Sequence, residues 1–292
     1  MRYFFDSVRT RAYWRYALFS GEAIGKFFAV MGILYLCVDL ADAFNIYKKD
    51  QYRFYGLIIL IVLALLYVLS TRRPLSRISY KIPQKDFAVE VVIGDLFKIP
   101  GEVIISTSST FDTDMSSGLI AASSLQGQLA TNYFNGQTSE IERQIEVSLE
   151  REEFIINEKR PGKTKEYPIG TVARVSTHSK NFYLVAMSHM EENKNARSDL
   201  KMIDQALEKL WVNLAAKAEV GDIVMPLIGT GRGRVPYPRK KMIERIAQSF
   251  ADAASERAFS NKLIIVVRPE DASKFSLNLF QVRDYLGQSL HA

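Results

Sequence analysis

The chain has 292 residues, a formal net charge of +6 and a single cysteine. That length accommodates one sizeable domain and an additional module. Residues 1–87 carry the whole basic excess, with 13 Lys/Arg against 6 Asp/Glu, whereas residues 88–292 hold the other 25 of 38 basic and 26 of 32 acidic residues. The near-neutral second part argues against a nucleic-acid-binding protein, and one cysteine excludes a disulfide framework within the chain.

The first 87 residues have the pattern of a membrane module. Residues 1–16 interleave aromatic side chains with arginines, which predicts a basic interfacial segment at a membrane surface: Arg2, Arg9, Arg11 and Arg15. Two apolar runs follow, at 17–40 and 54–70, and together they predict a transmembrane hairpin over residues 17–70. The alternative for the second run is the buried core helix of a soluble protein. Glu22 and Lys26 interrupt the start of the first run and are spaced to pair on one helix face.

Basic residues flank the hairpin on both sides, whereas its connecting loop has mixed charge. The positive-inside rule therefore predicts a multi-pass protein with both ends in the cytoplasm. Residues 71–87 contain Pro74 and Pro83 and are interpreted as a linker.

Strand-like and helix-like segments alternate over residues 88–292, which predicts an α/β domain with a mixed or mostly parallel sheet. The predicted strands are 88–93, 102–106, 154–157, 169–175, 182–187, 222–225 and 263–268. The predicted helices are 117–129, 140–150, 198–218, 237–257 and 273–286. Ligands of such sheets bind beyond the carboxyl ends of the strands.

The loop at 226–236 is the most informative segment, because it joins a buried strand to a helix and contains three glycines, a threonine and two arginines: Gly229, Thr230, Gly231, Arg232, Gly233 and Arg234. Glycines allow the backbone to approach an anion closely, and the first N–H groups of the next helix point at it. Arginines add bidentate contacts to phosphate oxygens. The alternative is a mobile surface loop with solvated charges.

Four segments, in order, resemble the ligand-binding motifs of macro domains. They are Gly94-Asp95-Leu96, the segment from Ile104 to Ser109, the stretch from Asp114 to Gly127, and the loop at 226–236. The resemblance covers about residues 88–270 and implies a macro-like fold, a mixed sheet flanked by helices, in a ligand-binding domain spanning 88–292. It implies that Asp95 holds an adenine, and that the two later segments bind a diphosphate. The ligand-binding residues predicted on this basis are Asp95, Leu96, Ser106, Ser109, Ser117, Gly118, Leu119, Ile120, Gly229, Thr230, Gly231, Arg232, Gly233 and Arg234.

The chain departs from catalytic macro domains at the positions that matter for hydrolysis. Those enzymes use an asparagine to place a water near the distal ribose, whereas this chain has Ser106 and Ser109 at the two asparagine positions. His178 and His189 have no metal-ligand or triad spacing, and residues 88–292 contain no cysteine. We therefore expect a binding domain without catalytic residues, metal or cofactor.

A membrane hairpin before a divergent macro domain is similar to the transmembrane-macro effectors of type II Thoeris antiphage systems. That resemblance implies a bacterial inner-membrane protein with a cytoplasmic soluble domain. It implies a messenger derived from ADP-ribose, histidine-linked ADP-ribose in that family, made by a TIR-domain protein. Its binding would drive homo-oligomerisation, disruption of membrane lipids and abortive infection. The alternatives are a membrane-tethered ADP-ribosyl hydrolase and an ADP-ribose-binding or ligand-free scaffold.

Overall fold

A computed structural model describes residues 2–46, 48, 53–159, 162–177, 179–216, 221–229, 235–275 and 277–290. The chain divides into two compact units, Met1–Leu75 and Ser76–Ala292.

The first unit contains four helices: α1 (Arg2–Val8), α2 (Arg11–Leu18), α3 (Gly21–Ala43) and α4 (Arg53–Thr71). Two helices of the described chain, Gly21–Ala43 and Phe54–Thr71, are long and apolar enough to cross a membrane. The first span begins later than the predicted position 17, because the Ser20 side chain accepts the Ala23 N–H at 3.2 Å and caps α3 there. The predicted interfacial segment comprises two short helices, and the Thr10 hydroxyl caps the second of them.

Arg72 connects three helices of this unit, although an arginine is seldom buried. Its side chain is 2% exposed; its Nε donates to the Tyr16 carbonyl at 3.2 Å and its Nη2 to the Ser20 hydroxyl at 3.0 Å. Its Nη1 lies 3.4 Å from Glu22, which also pairs with Lys26 at 3.1 Å. The predicted Glu22–Lys26 pair is thus confirmed, and both charges lie in the first turns of α3.

The second unit is built on a mixed sheet in which the described strands run in the order β1-β2-β10-β9-β3-β7-β6, with β8 paired to β7. The strands are β1 (Arg77–Lys81), β2 (Ala88–Ile93), β3 (Glu102–Ser108), β6 (Val172–Ser176), β7 (Asn181–Met190), β8 (Ala196–Arg197), β9 (Ile223–Pro226) and β10 (Lys262–Val267). The five central strands, from β2 to β7, are parallel, and the outer ones are antiparallel. A separate hairpin is formed by β4 (Ile155–Ile156) and β5 (Lys165–Glu166).

Helices flank this sheet: α5 (Leu125–Phe134), α6 (Thr138–Ser148), α7 (Leu200–Ala216), α8 (Arg239–Glu256), α9 (Pro269–Lys274) and α10 (Leu279–Ser289). The apolar side chains of α5 and α6, including Leu129 and Ile145, form one buried cluster with β3, β6 and β7. A second aromatic group joins Trp211 of α7, Phe250 of α8 and Phe259, with ring centroids no more than 6.0 Å apart. The central strands are therefore covered on both faces, as their largely apolar sequences require.

The segment predicted as a linker, 71–87, differs from expectation because it contains β1. Ile78 of β1 is buried, and the strand pairs with β2 over its whole length. Arg77 also pairs with Glu90 across the two strands, at 2.7 Å. The predicted helix at 117–129 is wrong at its start as well, since α5 begins at Leu125 behind the Ser124 cap.

Candidate ligand-binding cleft

A cavity of about 550 Å³ lies at the carboxyl ends of β3, β7, β9 and β10. Hydroxyl groups of 106–108, apolar residues 119–121, the end of β9 and Arg268 line it. Parallel strands bring their carboxyl ends to one edge of a sheet, so residues far apart in sequence converge there. Among the predicted ligand-binding residues, those on the wall of this cleft are Ser106, Leu119, Ile120 and Gly229.

The loop after β3 is shaped by hydrogen bonds between residues that are close together in sequence. The Asp114 carboxylate accepts from the backbone N–H of Ser116 at 2.8 Å and of Ser117 at 3.3 Å. Bonds from Ser116 and Ser117 lower the pKa of Asp114. Gly118 then has φ +77°, a conformation that side chains rarely adopt, and a Cβ added there would meet no heavy atom within 4 Å. The loop is thus a fixed turn whose backbone borders open space.

Gln126, near the start of α5, ties this turn to the sheet. Its side-chain amide donates to the Thr107 hydroxyl at 2.8 Å and to the Asp112 carbonyl at 3.3 Å. Gly127 permits the close approach of α5 to the loop before it, because a Cβ at this position would lie 2.4 Å from the Ala121 carbonyl oxygen. The helix can therefore sit directly against the loop that lines the cleft.

The loop after β9 also lines the cleft, through Leu227, Ile228 and Gly229. The Leu227 N–H donates to the Val266 carbonyl at 2.9 Å, which extends the pairing of β9 with β10 beyond the strand. Gly229 has φ +78°, and Arg239 donates to its carbonyl at 3.2 Å. The predicted residues Thr230, Gly231, Arg232, Gly233 and Arg234 lie outside the residues that the structure describes, as does His178.

Asp95 and Leu96 lie at the end of β2, one strand beyond the cleft, and not on its described wall. The Asp95 carboxylate accepts the Phe97 N–H at 3.0 Å and begins a single 3₁₀ turn, Leu96–Lys98. Its side chain is still 48% exposed. Lys180 supports the turn by donating to the Phe97 carbonyl at 3.0 Å, and burial lowers the pKa of this lysine. Asp95 therefore caps the turn and keeps an accessible carboxylate.

Ser109 is placed differently from the other predicted residues, because its side chain is 0% exposed. Its hydroxyl donates to Glu166 at 3.1 Å and lies 3.1 Å from Nδ1 of His189, which is itself 2.6 Å from Glu166. Asn157 donates to the other Glu166 oxygen at 3.0 Å. Serine and glutamate both meet the same imidazole nitrogen, so this is not the relay of a nucleophilic triad. The group instead joins the β4–β5 hairpin to the end of β3.

Ser117 lines a second cavity, of about 320 Å³, next to the cleft. Leu119 borders both cavities, while Glu142, Lys163 and Lys194 supply charges to the second. Asp112 also lines it and is buried; burial raises the pKa of its carboxyl, although Thr110 and the Lys163 backbone donate to it. The predicted Ser117 is thus on the far side of the turn from the cleft.

Volume alone does not single out the cleft, because a larger cavity of about 830 Å³ lies between α7 and α8. That groove is away from the strand ends and is bordered by an existing ion pair, Arg245 with Asp204 at 2.6 Å. In the described ranges, no group of three His, Cys, Asp or Glu residues is placed to hold a metal ion. The glycine turn at Gly229 and the convergent hydroxyls of 106–108 favour the smaller cleft as the binding site.

The wall also contains residues that were not predicted from the sequence, and Arg268 is one of them. Arg268 follows the last residue of β10, is exposed and lines the cleft together with Glu270 and Asp271. Arg268 is not part of any recognisable sequence motif, because it simply ends an apolar strand. Its position on the cleft wall follows only from the order of the strands in the sheet.

Comparison with known proteins agrees with this architecture. A family model described as the macro domain of Thoeris protein ThsA matches residues 89–268. Thoeris protein ThsA of Bacillus amyloliquefaciens (strain Y2) is 28% identical over 148 residues, a match that covers 49% of this chain and 48% of that protein. The matched region thus spans about half the length of the curated relative.

Among solved structures, a mutant of the Oceanobacillus iheyensis macrodomain is 15% identical and aligns with a TM-score of 0.48, over 74% of this chain and 98% of that one. The Oceanobacillus iheyensis macrodomain with ADP is 17% identical and aligns with a TM-score of 0.40, over 73% and 97% of the two chains.

Proposed function

The chain belongs to the family of Thoeris protein ThsA macro domains, and on that premise we propose that it is a membrane-anchored antiphage effector whose macro-like domain binds an ADP-ribose-derived messenger. The observation that carries the proposal is the cleft at the strand ends, whose lining brings together the hydroxyl groups of 106–108, residues 119–121 and Gly229, which has φ +78°. A glycine turn of this kind allows an anion such as a diphosphate to approach the backbone closely. The hydroxyls of 106–108 offer further hydrogen bonds to ribose.

We propose histidine-linked ADP-ribose, made by a TIR-domain protein, as the messenger. A binding role without hydrolysis is favoured by Ser106 and Ser109, which stand where catalytic macro domains have asparagines. In addition, the Ser109 hydroxyl is already engaged with Glu166 and His189. A hydrolase remains the alternative. Incubation with ADP-ribosylated protein separates the two, because release of free ADP-ribose would support the enzyme and refute the binding-only role.

The output in this proposal is the hairpin of residues 17–70 in the bacterial inner membrane, with the soluble domain in the cytoplasm. A ligand activates only if it binds one state of assembly better than another. The proposed active state is a homo-oligomer that clusters several hairpins and disrupts the lipid bilayer. Gly21, Gly25 and Gly32 on α3 support such clustering, since a Cβ at each would meet nothing within 4 Å in this chain.

The test is dye leakage from cells that express the full chain with a TIR-domain partner and are then infected by phage. Leakage should require both the full chain and the partner. Two matched controls are the fragment 76–292 and a chimera in which an unrelated inert membrane anchor replaces residues 17–70. Leakage with the fragment, or an equal response from the chimera, would contradict the assignment of the output to the hairpin.

A further inference from the structure

Arg268 is an uncommitted cation on the wall of the cleft. Among the residues that the structure describes, its guanidinium has no hydrogen bond, ion pair or aromatic partner. By contrast, Arg239 donates to the Gly229 carbonyl and lies over the Phe275 ring, and Arg245 pairs with Asp204. An incoming anion would therefore meet Arg268 without having to break an existing contact.

Backbone pairing fixes where this arginine stands. The Gly94 N–H donates to the Val267 carbonyl at 3.0 Å, and the Leu227 N–H donates to the Val266 carbonyl at 2.9 Å. Arg268 thus follows directly after the two residues that hold the Asp95 loop on one side and the loop after β9 on the other. An arginine at this junction lies between the proposed adenine contact and the proposed diphosphate contact.

The other charges on the cleft wall explain why a cation at Arg268 matters for binding an anion. The other charged residues on the described wall, Glu270 and Asp271, are both acidic, so that wall has a net negative charge. A nucleoside diphosphate is anionic, and carboxylates on the same wall repel it unless a cation offsets them. Guanidinium suits the task, because its planar donors match two phosphate oxygens at once and it is always charged.

We propose that Arg268 binds the phosphate next to the adenosine of the ligand and makes the cleft selective for phosphorylated over unphosphorylated adenosine compounds. This inference rests on the proposed function, since it assigns a recognition residue to the same cleft. It adds a side-chain contact to the backbone contacts of the glycine turns.

The test uses the full chain in detergent micelles, titrated with ADP-ribose, ADP and adenosine. Arg268→Gln should weaken ADP-ribose and ADP about tenfold or more, the range of a charge-assisted hydrogen bond, and should leave adenosine within about twofold. Arg268→Lys should restore part of the loss, because it keeps the charge without the planar fork. Arg257→Gln is the matched control, since Arg257 is exposed and lines the separate groove between α7 and α8.

The salt dependence of the affinity for ADP-ribose provides a second measurement, which does not require that adenosine bind. The wild-type affinity for ADP-ribose should fall with ionic strength, and Arg268→Gln should respond less steeply, because one ion pair has been removed. An equal loss for adenosine and ADP, or an unchanged salt response, would overturn the phosphate assignment while the proposed function stands. A wild-type chain that binds none of the three compounds would refute both proposals.

Discussion

Gly118→Ala is the substitution that most sharply reports whether a ligand passes over the first loop of the cleft. Gly118 and Gly136 both have φ +77°, and at both positions an added Cβ meets no heavy atom within 4 Å. They differ in place, because Gly136 lies in the turn between α5 and α6 whereas Gly118 directly precedes Leu119 and Ile120 on the wall of the cleft. Gly136→Ala is therefore a control matched in backbone strain and in local space.

The cost to stability should be the same in both variants. A residue with a Cβ in the left-handed region lowers the free energy of unfolding by about 1–2 kcal/mol. Alanine also restricts the unfolded chain, which offsets about 0.4–1 kcal/mol of this loss. The net loss is about 1 kcal/mol, which lowers the melting temperature by about 2–4 °C for a domain of this size. Thermal unfolding of residues 76–292 measures it. A much larger loss at Gly118 would show that the turn is packed more tightly than its open surroundings indicate.

Affinity should separate the two variants. Gly118→Ala should weaken ADP-ribose binding about tenfold or more, equivalent to about 1.4 kcal/mol, because the methyl group occupies the space through which the diphosphate reaches the backbone. Gly136→Ala should bind as the wild type does. Titration calorimetry with ADP-ribose gives both values. Equal affinity of the two variants would refute the placement of the ligand over this loop.

Three further outcomes are expected. Asp95→Asn keeps an oxygen that can cap the Phe97 N–H but loses the charge offered to adenine, so it should weaken ADP-ribose by about 1–3 kcal/mol with little change in melting temperature; unchanged affinity would leave Asp95 as a cap alone. Gly231→Glu adds bulk and negative charge to the second loop and should abolish ADP-ribose binding while circular dichroism remains that of a folded domain; wild-type affinity would place the site elsewhere. Burial raises the pKa of Asp112 above its ordinary 3.8, so the folded state binds the carboxyl proton more tightly than the unfolded state does. The protonated carboxyl therefore adds to the free energy of unfolding below pH 3.8, and this stabilisation is lost as the pH rises through the raised pKa. Asp112→Asn should flatten that part of the stability profile in urea titrations from pH 3.5 to 7, and an unchanged profile would contradict the assignment.

The central strands and the location of the cleft could be predicted from sequence because their signals are local. Residues 88–93 are apolar except for Glu90 and match β2 at both ends. Strands followed by glycine- or serine-rich loops bring Ser106 and Gly229 to one edge of the sheet, although the two residues are far apart in the chain. A parallel arrangement of the strands is enough to predict that these two residues lie close together.

Other features depend on partners that a sequence does not reveal. Ser109 points away from the cleft because Glu166, 57 residues later, accepts its hydroxyl, and a shift in strand register occurs just before it, between Thr107 and Ser108. Arg268 gains its position only from the neighbours of β10 in the sheet.

β1 was predictable in principle. Its alternation of exposed and buried residues is the pattern of an edge strand. The prolines on both sides of it, Pro74 and Pro83, favoured the interpretation as a linker instead.

The central claim is that the cleft takes up an ADP-ribose-derived messenger during infection. Its most direct test is mass spectrometry of the small molecules that the full-length protein retains when it is purified from infected cells containing the TIR-domain partner. We predict a compound that contains ADP-ribose in the wild-type protein and none in Gly231→Glu. Absence of any adenine-containing compound, or equal amounts in both proteins, would contradict the account.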